Sequence, residues 1–403
     1  VPGPVVGWRL RGVVRWSVMI RTVWLLVLVW FGAGLGCGTD SGQKALKQGL
    51  AAYKEKNYAA AVTHLNRAGK RLTGSVPLYY HLGLAHLHQG EIEPAQAAFA
   101  AALELAPGHA ASKVCLGQIA YLQNDLAKAQ TCFDEALAVT EAPEERARIL
   151  TALGLTEMGR NRNDLARLYL IRAQQAHRAY APAYYNLASL YRDAFNLREE
   201  ALDQFELYVR LADRDDRHVE KAENNIKRLR LNLTRIREEA SEGVRRDPAT
   251  AARLLQEGAR LHADRQSAKA VKAFRDALAA DPLTFSAAYG LAMAYKAQGR
   301  RAEAMEAFRR AAQINPDHQD SYHQAAELAF QLKRYVEAGK LLDRAIARSP
   351  FQVASAELMA RIRHAEGRLS EARAYGEYTL SLMHPNAKGR RAYEQWVRSL
   401  PAR

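Results

Sequence analysis

The stretch "VPLYYHLGLAHLHQGEIEPAQAAFAAALELAPGH", residues 76–109, contains two segments whose apolar residues recur at helical spacing. Between them, Gln89-Gly90 is a turn signal, because glycine adopts the backbone conformations that end a helix. Pro107 ends the second segment, since proline lacks an amide donor and clashes with the preceding turn. The stretch is therefore predicted to form an antiparallel pair of helices.

The same pattern recurs with a period of about 34 residues along most of the chain. One copy, residues 181–215, fits with one extra residue in its turn. The copies occupy residues 42–75, 76–109, 110–143, 147–180, 181–215, 251–284, 285–318, 319–352 and 353–386. A repeat of this length predicts a solenoid, in which each helical pair buries its apolar faces against its neighbours.

Small and large residues recur at fixed places in these copies. Small residues stand where the two helices must approach closely: Gly83, Gly117, Gly154 and Gly258 in first helices, and Ala95, Ala129, Ala166, Ala270, Ala304 and Ala338 in second helices. Large aromatic residues are placed to fill the space between successive pairs: Phe99, Phe133, Phe205, Phe274 and Phe308. Alternating small and large residues in this way predicts close packing throughout the array.

This period and these residues resemble the tetratricopeptide repeat family, and the resemblance covers almost everything after residue 42. It implies an all-α fold, a right-handed superhelical solenoid of helical hairpins whose concave face is lined by the first helix of each pair. It also implies a groove that binds peptides or folded protein partners. Since few of these repeats are catalytic, the resemblance implies that the chain is not an enzyme.

The repeats fall into two arrays, five copies over residues 42–215 and four over residues 251–386. A long amphipathic helix is predicted between the arrays, within residues 216–250, because apolar residues alternate in steps of three and four over residues 219–240. This helix either covers the last hairpin of the first array or forms the seam of a homodimer. A second amphipathic helix, within residues 387–403, is predicted to cap the end of the second array.

Residues 1–36 are predicted to be an export signal. Arginines precede an uncharged segment of about fifteen residues, which is shorter than a membrane-spanning helix and ends in small residues. Because a compact signal starts at Met19, translation is expected to begin there.

The junction at Gly36-Cys37 resembles the end of a bacterial lipoprotein signal, although Gly34 and Leu35 depart from the usual residues of that family. The resemblance implies that Cys37 is lipidated and that residues 37–42 form a short tether to the membrane. The alternatives are a cleaved signal that leaves Cys37 as a free thiol, and an uncleaved anchor.

The first-helix positions that face the groove in this family map onto an apolar surface of the first array. These positions hold Leu50, Tyr53, Tyr80, Leu84, Leu87, Tyr121, Met158 and Tyr185. Exposed apolar surfaces of this extent mark partner sites, and tyrosine is enriched in them. The alternative is that some of these residues pack beneath neighbouring hairpins, because aromatic residues at helical spacing are more often part of a core.

Charge and composition exclude several classes of function. The formal charge of +15 fits an anionic membrane surface, an acidic partner or a general effect on solubility. Nucleic acid is not expected as a partner, because no basic stripe is interleaved with stacking aromatics. His81 and His88 share a helix face without a carboxylate or cysteine at ligand spacing, so no metal is expected. The residues outside the repeats and caps leave no room for catalytic residues or a cofactor.

The sequence therefore predicts a non-catalytic protein–protein interaction scaffold of the bacterial cell envelope. The chain is expected to be exported, anchored to the membrane through an N-terminal lipid and facing the periplasm. Two alternatives remain: an assembly factor for outer-membrane protein, pilus or secretion machinery, and a regulatory subunit of an envelope hydrolase or transferase.

Overall fold

A computed structural model describes residues 36–216, 218–242 and 246–401 of the chain. Within these residues the fold is all-helical and contains no β-strand, which confirms the predicted class. The helices are α1 (Gly36–Lys54), α2 (Tyr58–Gly69), α3 (Val76–Gln89), α4 (Ile92–Leu105), α5 (Ala110–Leu122), α6 (Leu126–Val139), α7 (Pro143–Gly159), α8 (Asn163–Ala176), α9 (Ala181–Asp193), α10 (Arg198–Leu211), α11 (Val219–Ser241), α12 (Pro248–Ala263), α13 (Ser267–Ala280), α14 (Phe285–Ala297), α15 (Arg301–Ile314), α16 (Gln319–Gln331), α17 (Tyr335–Arg348), α18 (Val353–Ala365), α19 (Leu369–Leu382) and α20 (Arg390–Ser399).

The chain divides into two compact units, Val1–Asn186 and Leu187–Arg403, and the boundary falls inside α9. In each unit, the two helices of a sequence copy pack against each other, as α1–α2, α3–α4, α5–α6 and α7–α8 in the first unit and α12–α13, α14–α15, α16–α17 and α18–α19 in the second. None of the helices in the described ranges combines the length and the apolar character that a membrane span requires.

The described residues begin at the end of the predicted export signal. Residues 1–35, which include most of the predicted signal, lie outside the described residues. The backbone of Cys37 belongs to the first turn of α1, and its side chain is outside the described set. Residues 37–42, predicted as a tether, therefore lie within a helix.

Each turn between paired helices holds one residue in the left-handed backbone region. In the described part of the chain these residues are Lys56, Gly90, Asn124, Asn161, Asn196, Arg265, Gly299, Lys333 and Gly367. Glycine adopts this conformation freely, whereas a residue with a Cβ pays roughly 1–2 kcal/mol for it. Because lysine and arginine occupy three of the turns, helix packing, and not glycine alone, holds the turn geometry.

In the hairpins α3–α4, α5–α6 and α12–α13, the two helices touch through a glycine on the first helix and an aromatic ring on the second. A Cβ added to Gly117 would lie 2.7 Å from the ring of Phe133, and one added to Gly83 would lie 2.7 Å from the ring of Phe99. The predicted alanines of the second helices have no exposed surface: Ala95, Ala129, Ala166, Ala270, Ala304 and Ala338. This close contact confirms the packing that the small residues predicted.

The last hairpin departs from the pattern in a way that explains α20. Gly376 stands at the repeat position that Phe308 occupies two copies earlier, so this hairpin lacks its large side chain. Val397 of α20 fills the space, because a Cβ added to Gly376 would lie 2.6 Å from a methyl group of Val397. Tyr393 and Leu400 of the same face are buried as well. The C-terminal helix thus supplies the core residue that the repeat itself omits.

Helix α11 lies along α10. Ala222, Ile226 and Leu229 of its first half are buried, and Arg230 pairs with Glu206 of α10 at 2.8 Å. In its second half Ile236 is 40% exposed. The apolar stripe therefore covers α10 at one end and remains open to solvent at the other.

The contact between Gly117 and Phe133 predicts the effect of a single substitution. Gly117→Val should lower the free energy of unfolding by about 1–3 kcal/mol, because the new side chain overpacks the hairpin. Urea denaturation followed by circular dichroism measures this change. Gly74→Val is the matched control, since a Cβ at Gly74 meets nothing within 4 Å. An equal loss of stability in both variants would contradict the close contact.

The packing of α11 on α10 is tested by a pair of substitutions. Leu229→Glu should lower the melting temperature, because it places a charge at a residue that is 7% exposed. Leu231→Glu should leave stability nearly unchanged, because Leu231 is 75% exposed. Sedimentation of both variants should give the mass of the unmodified protein. A halved mass for Leu229→Glu would show instead that the stripe is the seam of a homodimer.

Candidate partner-binding cavity

A cavity of about 750 Å³ lies in the first unit, against the first helices of four successive hairpins. Its walls come mainly from α1, α3, α5 and α7, with further residues from the start of α2 and from residues 139–142 at the end of α6 and in the following loop. The apolar part of the wall consists of Leu50, Leu84, Ala110, Ala111, Val114 and Ile149, and the polar rim includes Lys54, Glu141, Glu145 and Arg148. The cavity therefore combines an apolar interior with a rim that carries both signs of charge.

Four of the residues predicted for the groove line this cavity: Leu50, Tyr53, Tyr80 and Leu84. The other four lie elsewhere: Leu87 is buried in the core near Phe99, Tyr121 packs half-buried against the core around Phe133, Met158 is half-buried, and Tyr185 is 2% exposed. For Leu87 and Tyr185 the structure matches the alternative that the sequence left open, packing beneath neighbouring hairpins.

Aromatic rings hold Tyr53 at the edge of the cavity. Its ring lies 5.6 Å from that of His81 and 5.7 Å from that of Tyr58, both edge-on. The ring of Tyr58 in turn stacks on His88 at 4.2 Å. Among the described residues the buried hydroxyl of Tyr53 has no hydrogen-bond partner. This hydroxyl is an unused polar group beside the cavity.

The protonation states of this wall follow from burial. Burial raises the pKa of Tyr53 and of Tyr80, since it disfavours the charged phenolate. Burial likewise lowers the pKa of His81 and of His88, because it disfavours the imidazolium. At neutral pH these four side chains are uncharged, and the charges of the cavity are confined to its rim.

Tyr80 is held against the next hairpin. Its ring lies 5.1 Å from that of His109, and the Nδ1 atom of His109 accepts a hydrogen bond from the backbone amide of Ser112 at 3.3 Å. Cys115 lies close behind, and burial raises the pKa of its thiol to about 12. Cys115 and Cys132 are both free thiols. Tyr80 is therefore fixed by contacts from two hairpins.

An extra helical turn builds one wall of the cavity, and the sequence analysis did not identify its role. Helix α7 has 17 residues, whereas α5 has 13. The guanidinium of Arg146 donates hydrogen bonds to the carbonyl oxygens of Thr140 at 2.6 Å and Leu137 at 3.2 Å, which fixes the preceding loop. In the next turn, Arg148 pairs with Glu145 at 2.7 Å, and both line the cavity.

The sequence carried a signal for this wall. Residues 144–146 interrupt the regular period between the copy that ends at residue 143 and the copy that starts at residue 147. Three additional residues amount to nearly one turn of helix. The break in the period therefore marks the place where this array differs from a regular one.

The arrangement suits binding more than chemistry. Ring and aliphatic atoms form most of the wall, and the rim charges include an internal ion pair between Arg148 and Glu145. No group of three or more metal-ligating side chains occurs in the part of the chain that the structure describes. Such a cavity can hold an apolar side chain and exclude water from it.

Three segments of the chain match models of a known family. Residues 76–109, 260–319 and 296–362 each match a model of the tetratricopeptide repeat. No curated protein matches the chain.

Several solved structures are similar to the chain. PilF of Pseudomonas aeruginosa is 20% identical, over 49% of this chain and 93% of that one, with a TM-score of 0.41. A MamA protein is 17% identical, over 43% of this chain and 92% of that one, with a TM-score of 0.38. MamA from Desulfovibrio magneticus is 16% identical, over 45% of this chain and 99% of that one, with a TM-score of 0.40.

The matched segments lie in both units, and the helical pairs that surround them repeat the same turn and the same close contact. The chain therefore contains tetratricopeptide repeats, at residues 76–109 and 260–362.

Proposed function

We propose that this protein is a non-catalytic scaffold that binds a protein partner through the cavity of its first unit. Tetratricopeptide repeats are protein-interaction modules, and the family is typically non-catalytic. The observation that carries the proposal is the apolar wall formed by Leu50, Leu84, Val114 and Ile149 on four separate helices. A surface assembled from so many repeats serves recognition, because each hairpin contributes one contact to a shared ligand.

The size and the charge of the cavity limit what it binds. About 750 Å³ lies within the usual range of ligand pockets and holds more than one large side chain. The rim carries Lys54 and Arg148 against Glu141 and Glu145, so the charges balance. We therefore infer a partner segment that inserts apolar side chains and presents an uncharged backbone to the rim.

We further propose that the protein works in the bacterial cell envelope, exported and anchored by a lipid on Cys37. The support is the signal-like segment before Cys37 and the small residue Gly36 next to it. Because α1 begins at Gly36, a lipid on Cys37 would sit in the first turn of that helix. More than one acyl chain is needed for stable anchoring, and lipoproteins of this type carry at least two.

Cross-linking in living cells tests the cavity. A photoreactive phenylalanine at Leu50 should give a discrete adduct with one partner, because Leu50 lines the cavity. The same residue at Leu122, which is 58% exposed and outside the cavity, is the control. Leu50→Arg should abolish co-purification of that partner, whereas Leu122→Arg should retain it. Identical adducts at both positions would contradict a partner in the cavity.

The identity of the cross-linked partner separates the functional alternatives. A component of outer-membrane protein, pilus or secretion machinery supports an assembly factor. A hydrolase or transferase whose activity changes with Leu50→Arg supports a regulatory subunit.

The anchor is tested by mass spectrometry of the protein from membranes. We expect the mature chain to start at Cys37 and to carry a mass increment of covalently bound acyl chains. Cys37→Ala should remove the increment and release the protein from the membrane fraction. Cys132→Ala, at a half-buried thiol, should change neither. An unmodified Cys37 in membrane-derived protein would rule out the lipid.

A further inference from the structure

A second depression, about 850 Å³ in volume, lies on the second unit against α13, α14 and α15. Its floor includes Leu278, Leu291 and Tyr295, which are each 8% exposed or less. Tyr289 of α14 holds the repeat position that Tyr80 holds in the first unit. Leu291 lies two residues after Tyr289, which is about 200° around the axis of α14. The depression therefore lies on a different face of α14 from the face that corresponds to the first-unit cavity.

Arginines surround this depression. Arg275, Arg309, Arg310 and Arg334 line it, and all four are exposed. Two of them pair with a glutamate one turn away: Arg309 with Glu306 at 2.6 Å, and Arg334 with Glu337 at 3.6 Å. Such exposed pairs within a helix are worth little and exchange readily with other partners.

Two of the arginines are not held in an ion pair, although the charge of Arg275 acts on Glu303. Within the described ranges, neither Arg275 nor Arg310 has a carboxylate within 4.0 Å. Arg310 donates a long hydrogen bond of 3.4 Å to the carbonyl of Pro282. The pKa of Glu303 is lowered, mainly by the hydrogen bond from Arg300 and partly by the charge of Arg275. The depression is therefore positively charged despite its glutamates.

The ring of Tyr295 contacts two guanidinium groups, that of Arg275, which lines the depression, and that of Arg300, which lies outside the lining. The guanidinium carbon of Arg300 lies 4.5 Å from the ring centroid, and that of Arg275 lies 5.9 Å from it. A planar guanidinium that rests on an aromatic ring is partly preorganised, so it loses less entropy when it binds a carboxylate. Guanidinium groups and the apolar side chains of Leu278 and Leu291 therefore line the same depression.

The floor distinguishes between anionic partners. A bilayer surface would contact the rim and leave Leu278 and Leu291 uncovered, whereas side chains of a polypeptide can enter the depression. Nucleic acid prefers aromatic rings that are open for stacking, but Tyr295 is 4% exposed and covered by arginine. The chemistry that matches both the rim and the floor is an acidic polypeptide with apolar residues along one side.

We propose that this depression is a second docking site, separate from the first-unit cavity, for an acidic amphipathic segment of a protein partner. Carboxylates of the segment pair with Arg275 and Arg310, and its apolar side chains enter the depression whose floor includes Leu278 and Leu291. Part of the chain's net charge of +15 would thus serve to bind a partner.

A phage-displayed library of random dodecapeptides, selected on the purified chain, tests this site. One enriched class should combine aspartate or glutamate with large apolar residues. The double variant Arg275→Glu and Arg310→Glu should weaken the best acidic peptide about tenfold or more, because two surface pairs become repulsive. Lys227→Glu with Arg228→Glu, on the exposed side of α11, makes the same change in net charge and should bind like the unmodified protein.

The outcomes separate this site from the first one. Peptides that bind the Leu50 cavity should be unaffected by the double variant, so failure of one site leaves the other testable. Loss of acidic peptides in both charge variants would show a general charge effect and overturn the proposal. Binding to phosphatidylglycerol vesicles or to a single-stranded oligonucleotide that depends on Arg275 and Arg310, without any acidic peptide class, would overturn it as well. Thermal melting confirms that each variant is folded.

Discussion

In several hairpins, the contact between a small residue on the first helix and a large one on the second determines how the two helices pack. Gly83 with Phe99 and Gly117 with Phe133 show it in the first unit, and Gly258 with Phe274 shows it in the second. The absence of a side chain lets the helices approach until the ring fills the space between them. Where the large residue is missing, at Gly376, the chain supplies one from α20. In the last hairpin, Val397 of α20 thus takes the place of the missing large side chain.

The candidate site depends on the same contact. Because the hairpins pack with a fixed spacing, Leu50, Leu84 and Val114 on successive first helices face one cavity. The extra turn of α7 makes this array irregular, and it adds to the cavity a wall that carries Arg148. Close packing fixes the position of the wall, and the irregularity in the period determines its chemistry. Recognition in this protein therefore arises where the repeat is interrupted.

Local features of the fold could be predicted from the sequence, because each hairpin is specified by residues within one period. The wall residues Leu50 and Leu84 followed from repeat position alone. Tyr185 did not, because its burial depends on the fold around it. Contacts between residues far apart in the chain could not be predicted from the sequence. The guanidinium nitrogens of Arg348 in α17 lie 2.9 Å from a carboxylate oxygen of Asp203 and 3.3 Å from one of Glu199, both in α10 and almost 150 residues away. No pattern within a single repeat encodes a contact of that kind.

We infer that the close-packed hairpins present a cavity in the first unit and that the residues lining this cavity hold the partner. Hydrogen–deuterium exchange of the protein with and without its cross-linked partner tests this most directly. We predict slower exchange in residues 50–54, 80–84 and 145–149 and no change in α4 and α8, which contribute no residue to the cavity. Slower exchange confined to those second helices would contradict it.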